Sequence, residues 1–190
     1  MKTNNIPWSF LWGASTSAYQ VEGGYNANGK GLSIHDIKDK NSGIANFEIA
    51  SDHYHRFKED VALMAELGLK SYRFSVFWAR IFPNGFGEVN KKGIAFYNEL
   101  INELLKYCIE PILTIYHFDL PLELEKLGWW NNKKVTIEAF LNYAKVLFES
   151  FGDRVKYWLI INEQNVLILA GNKIGVSNRK NGNSWKELYQ

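Results

Sequence analysis

Apolar residues follow two alternating rhythms along this chain. Short runs of four or five end abruptly in polar residues, and longer stretches return an apolar residue every three or four positions. The clearest short run is Trp158, Leu159, Ile160 and Ile161, which predicts a strand buried on both faces and breaks off at Asn162, Glu163 and Gln164. Working from the start, Phe10 to Ala14 predicts a first strand, with Gln20 near its end in a polar turn closed by Gly23 and Gly24. Tyr25 to Ala50 is glycine-dotted and without period, which predicts a long loop of the kind that usually serves function. From Ser51 the period changes: Tyr54, Phe57, Val61, Met64, Ala65 and Leu67 mark a helix that Ser51 or Asp52 can cap and Gly68 can end. Leu69 to Phe77 predicts the second strand, and Pro83, Gly85 and Gly87 a loop. Asn90 can cap a helix striped by Ile94, Tyr97, Leu100, Ile101, Leu104 and Leu105. Ile112 to Tyr116 is the third strand, again followed by polar groups at His117 and Asp119. The stretch from about Thr136 to Phe151 predicts a third long helix, stopped by Gly152, before the fourth strand. Beyond Gly171 the chain turns polar, and Trp185 to Gln190 could begin another helix.

Four strands separated by long helices require a mainly parallel sheet with crossover connections. Two architectures satisfy this, an open doubly wound sheet or part of an eight-unit barrel. No G-x-G-x-x-G turn follows the first strand and no G-x-x-x-x-G-K-[ST] loop occurs, so neither nucleotide-binding motif is present. A complete α/β barrel takes about 250 residues, so on the barrel alternative residues 1–190 would form only the N-terminal portion of a single barrel domain. In such a barrel the chemistry is built where strands end, which makes Glu163, at the tip of an apolar strand, the first candidate.

Composition narrows the function classes. The chain is 46% hydrophobic and 22% charged, suited to one globular domain, and its net charge of +2 is spread without a basic stripe, so nucleic-acid and membrane-surface partners are not expected. The single Cys108 excludes an intramolecular disulfide and is expected to be a buried thiol, compatible with a reducing cytoplasm. No export signal or bilayer-length apolar segment is found, and a cytoplasmic location is expected. Aromatic residues make up 15%, with seven tryptophans, and such rings suit either a core or the C–H face of a sugar. His53 and His55 lie two apart, about 200° around a helix, and cannot share a metal; no metal or cofactor is expected.

The segments FLWGASTSAYQVEGG (10–24), DHYHRFKEDVALMAELGLKSYRFSVFWARIFP (52–83), IYHFDLPLEL (115–124) and WLIINEQN (158–165) resemble, in order, the N-terminal motifs of glycoside hydrolase family 1, the β-glucosidases and 6-phospho-β-glucosidases. The resemblance covers most of residues 8–170. It implies a (β/α)8 TIM barrel, here its N-terminal half, that hydrolyses β-glycosides with retention of configuration. Carried over residue by residue, it makes Glu163 the acid/base, Asn162 the contact to the sugar 2-hydroxyl, Gln20 and His117 sugar binders, and Arg73 the residue that orients the nucleophile. These residue types suit the chemistry. A carboxyl that protonates a leaving group must sit where its charged form is disfavoured, and a neutral amide can strengthen its hold on the 2-hydroxyl as an oxocarbenium ion develops.

Glu22, Glu59 and Asp60 fall in matched motifs and are expected to be structural, while Trp129 and Trp130 are expected either at the rim of the mouth or in packing. Two positions depart from the family pattern: Phe118 stands where tryptophan is commoner, and Gln164 where many members have proline, a variant resembling the phospho-glycoside branch. A retaining enzyme needs a second carboxylate about 5 Å from the first, and no T-E-N-G-like motif that would carry it occurs in the 190 residues. Two expectations follow. The chain is the acid/base half of a glycosidase acting on a β-glucoside or 6-phospho-β-glucoside, whose partner is the C-terminal half of the barrel if that lies on a separate chain; or it is a non-catalytic sugar-binding remnant of one.

Overall fold

A computed structural model describes residues 6–7, 9–37 and 47–170 of the protein. Its frame is four parallel strands, β1 (Gly13–Ser15), β2 (Ser71–Ser75), β3 (Glu110–Tyr116) and β4 (Tyr157–Ile161), hydrogen-bonded in the order β1-β2-β3-β4. A doubly wound sheet reverses its strand order at a switch point. This sheet never does, and a sheet that advances one strand at a time in one direction is a segment of a barrel wall. In register, Ser15 lies beside Arg73, Arg73 beside Ile112, and Tyr116 beside Ile161, so all four C-terminal tips share one rim.

Three long helices return the chain between strands: α2 (His53–Glu66), α4 (Lys91–Lys106) and α6 (Lys133–Phe151). Short helices α1 (Ala18–Val21), α3 (Trp78–Ile81), α5 (Leu122–Lys126) and α7 (Gln164–Ala170) decorate the rim. Asn90 caps α4 as its sequence predicts, accepting from Lys92 N at 3.2 Å, and its amide donates to the carbonyls of Asn28 and Arg80. Asn132 caps α6, which starts at Lys133 rather than near Thr136. Asp52 occupies the N-cap of α2 with φ +53°, but its carboxylate turns to His55 Nδ1 at 2.6 Å instead of capping.

The core lies between sheet and helices. Trp78 stacks on Tyr143 at 4.4 Å, meets Trp129 edge-on at 5.3 Å and donates its indole N–H to Gly85 O, so the Trp129 ring is a packing residue. Glu22 is equally structural: buried, it accepts from Arg80 Nε at 3.0 Å and from the Tyr97 hydroxyl, while the Arg80 guanidinium lies over the Tyr54 ring at 3.9 Å. Breaking such a buried pair from one side leaves an uncompensated charge, which keeps α1, α3 and α4 in fixed relation.

Four expectations are corrected. The first strand is Gly13–Ser15, not Phe10 to Ala14; Phe10, Leu11 and Trp12 are exposed, and Gly13 is where the backbone can pass Ser71, since a Cβ there would lie 2.4 Å from its carbonyl oxygen. Gln20 consequently lies on α1 rather than at a strand end. β4 is not buried on both faces: it is the last strand of the sheet among the described residues, and Tyr157 and Ile160 are about half exposed. Cys108 is exposed rather than buried, because α4 ends at Lys106 and Cys108 takes a left-handed conformation, φ +58°, that turns its side chain away from the stripe. In the long loop, Ala27–Gly29 forms a 3-10 turn and Ser33 bridges Pro121; the rest of that loop from 38 to 46, and the expected helix at Trp185 to Gln190, lie outside the described residues.

Candidate active site

The rim where the strands end gathers most of the predicted residues. Asn162 follows β4 directly; its backbone N–H continues the ladder to Tyr116 O at 2.9 Å, and its side chain is buried. Arg73 reaches across from β2, donating from Nε to Thr114 Oγ1 at 2.9 Å and from Nη2 to Asn162 Oδ1 at 2.6 Å. With its oxygen turned to the Arg73 guanidinium, the Asn162 amide keeps its NH2 as a donor. Thr114 is a site residue missed in sequence. Its signal was a hydroxyl inside the apolar strand Ile112 to Tyr116, facing the same side as Arg73.

His117 leads off the end of β3. Burial, and then the Arg73 guanidinium, push its imidazole down to about 4, so it is neutral near pH 7. Its Nδ1 is buried with no hydrogen-bond partner among the described residues, a donor or acceptor left for something else. Two residues on, Asp119 is wholly buried, accepting from Trp78 N at 2.6 Å and from His117 N at 3.1 Å, and burial pushes its carboxyl up to about 7. Asp119 was visible as a polar residue after β3, but its role in holding the His117 backbone was not.

Glu163 comes next to Asn162, with φ +43°, and heads α7 through its carbonyl, which accepts from Val166 N at 2.8 Å. Its side chain is exposed, over an open hollow lined by Leu159, Ile161, Gln164 and Val166. The desolvated surroundings expected for it are not supplied by the described residues. Gln20 sits apart, on α1, which is pinned to the rim by Ala18 N donating to Ser75 Oγ at 2.7 Å; its Oε1 accepts from Ser17 Oγ at 2.5 Å. Tyr19, the residue before Gln20, meets the His117 ring edge-on, with ring centroids 6.3 Å apart. The Tyr19 phenol is raised by burial first, then by the Asp119 and Glu163 carboxylates. No three His, Cys, Asp or Glu among the described residues are placed to hold a metal ion.

The parallel barrel wall thus carries Arg73, Asn162, His117 and the Glu163 carboxylate along the rim where its strands end. The chain belongs to glycosyl hydrolase family 1, whose family model matches residues 2–190, and its four strand-helix units are the N-terminal half of a (β/α)8 barrel. It is 52% identical to the aryl-phospho-β-D-glucosidase BglC of Bacillus subtilis, over 93% of this chain and 39% of that protein, and 50% identical to β-glucosidase 42 of Arabidopsis thaliana, over 91% and 36%. A rice β-glucosidase mutant, solved in covalent complex with Glc, superposes with a TM-score of 0.85 at 40% identity, covering 90% of this chain and 37% of that one. The Thermotoga maritima β-glucosidase gives 0.84 at 45% identity, covering 90% and 39%. The chain therefore spans about two fifths of the length of the relatives it matches.

Proposed function

We propose that residues 1–190 are part of a single barrel domain and supply the acid/base side of a retaining β-glycoside hydrolase, with a β-glucoside or 6-phospho-β-glucoside as substrate. The observation that carries this reading is the Arg73–Asn162 clamp at 2.6 Å, which fixes a neutral donor beside a carboxyl at the tip of β4. In the first step a carboxylate attacks the anomeric carbon, the bond to the leaving oxygen breaks, and Glu163 gives that oxygen its proton. In the second, Glu163, now a carboxylate, takes a proton from water as the water oxygen displaces the nucleophile from the same carbon. Asn162 donates to the 2-hydroxyl, and His117 and Gln20 bind hydroxyls on the sugar held before the cleaved bond. Arg73, with two of its five donors engaged, has others with which to orient a carboxylate.

The nucleophile comes from a segment that is not among these residues, as does the surface that desolvates Glu163. The covalent Glc in the rice relative supports a covalent intermediate. The most identical of the relatives cited is a phospho-glucosidase and the next is a β-glucosidase, so both substrate forms are carried forward. A lone cysteine suits a reducing compartment, and we place the protein in the cytoplasm; no helix among the described residues is long and apolar enough to cross a membrane. The test is hydrolysis of p-nitrophenyl β-D-glucoside and its 6-phosphate by the folded 190-residue chain. No turnover of either is expected. Turnover that disappears in Glu163→Gln would place a nucleophile within these residues and overturn the division of labour.

A further inference from the structure

His117 is carried on a turn of unfavourable shape: the next residue, Phe118, is buried and has φ +68°, a region that bulky side chains rarely enter. Such a conformation persists only where its surroundings impose it. On one side the Asp119 carboxylate holds the His117 N–H. On the other, residues 32–35 of the long loop run antiparallel to residues 118–122: Leu122 N donates to Leu32 O at 2.8 Å and Ile34 N to Leu120 O at 3.0 Å. His35 completes this clasp. Its side chain is buried, its Nε2–H donates to Phe118 O at 2.9 Å, and its ring lies flat on Tyr19 at 4.0 Å and 4°. One imidazole thus touches both the turn that carries His117 and the residue preceding Gln20.

We infer that His35 is a positioning residue, which through its bond to Phe118 O and its stack on Tyr19 sets the His117 ring and the Tyr19–Gln20 pair at a fixed spacing across the sugar site. This rests on reading His117 and Gln20 as sugar binders. The bond fixes where the His117 backbone emerges, and the stack fixes the ring against which His117 packs. Without the bond the turn loses what holds its left-handed carbonyl, and His117 swings out of its half-buried place toward water.

The chain has four histidines, so imidazole C–H resonances of the whole protein can be followed by NMR and assigned by single substitutions. The groups facing His117 are Arg73 from β2, Tyr19 from α1 and Asp119 on its own turn. In the wild type His117 should titrate near 4. His35→Phe keeps the stack and loses the donor; its His117 midpoint should rise by a unit or more toward the ordinary value of about 6.5. His35→Gln places an amide N–H near the position of Nε2 but loses the stack, and should hold His117 closer to its wild-type midpoint than His35→Phe does. An unchanged midpoint in a folded His35→Phe variant, equal shifts in both variants, or loss of fold in both would overturn the assignment. The readout needs no turnover, so failure of the glycosidase reading and failure of this one are separate results.

Discussion

Two residues two positions apart titrate in opposite senses, and the consequence is measurable. His117 lies near 4 in the folded chain, below its usual 6.5, because of burial and then Arg73. Between those values the unfolded chain holds a proton the folded one does not, so stability is complete above 6.5 and is lost as pH falls toward 4. Asp119 lies near 7 against a usual 3.8, because of burial. There the folded chain holds the extra proton, so its contribution is complete below 3.8 and is lost as pH rises through 7. Across pH 4.5 to 6.5 the two slopes oppose each other. Urea unfolding of His117→Gln should therefore show stability falling with pH relative to wild type, and Asp119→Asn should show it rising. Parallel profiles for all three proteins would contradict these assignments. At the candidate site, Glu163 stood out because it follows an apolar run, whereas Gln20, Arg73, His117 and Asn162 took their expected roles from the resemblance to the family's motifs. Thr114 and Asp119 were not singled out, since their roles depend on what lies across the sheet, which the order of residues along one strand does not record.

At the level of elements, the two helix ends that sequence reading treated differently are built alike. After α2, Gly68 N bonds Ala65 O and Leu69 N bonds Met64 O, with Gly68 at φ +77°; after α4, Cys108 N bonds Leu105 O and Ile109 N bonds Leu104 O, with Cys108 at φ +58°. Both are the paired terminal bonds that close a helix around one left-handed residue. The first carried its signal, a glycine, and the stop was predicted there. The second places a cysteine where glycine is usual, so the apolar rhythm seemed to run on and the thiol to be buried. Cys108→Gly should raise stability by about 0.5–1 kcal/mol in chemical denaturation, since the left-handed region penalises a Cβ. A loss of stability would mean that the thiol makes contacts outweighing that strain. The misplaced start of β1 has a related cause: Phe10 to Trp12 have high strand propensity, but Trp12 already accepts from the backbone N–H groups of Lys70 and Ser71, and the ladder proper begins only at Gly13.

At the scale of the whole molecule, the sheet ends in an edge on both sides among the described residues. Tyr157 and Ile160 of β4, Leu141 and Phe148 of α6 and Leu169 of α7 are exposed, and before β1 so are Phe10, Leu11 and Trp12. Unpaired edges lined by apolar side chains template association. The chain on its own should elute as concentration-dependent species heavier than its 22.0 kDa in size exclusion with light scattering, and Leu141→Lys with Ile160→Lys should reduce that association. A monodisperse monomer unaffected by those changes would mean that the edges are covered within the chain. The fold was legible because strand and helix alternate in sequence; the exposure of β4 was not, because an apolar run is the same whether its neighbour is present or absent.

The most direct test of the central claim is to join this chain, in one polypeptide, to the part of the Bacillus subtilis BglC that follows the segment it matches, and to measure hydrolysis of p-nitrophenyl β-D-glucoside and its 6-phosphate with and without Glu163→Gln. General acid–base catalysis contributes about 10²–10⁴-fold. The joined protein should be active on at least one of the two, and Glu163→Gln should lower that activity by a factor in that range. Activity that is indifferent to Glu163, or a folded joined protein that turns over neither substrate, would contradict the assignment of the acid/base to this chain.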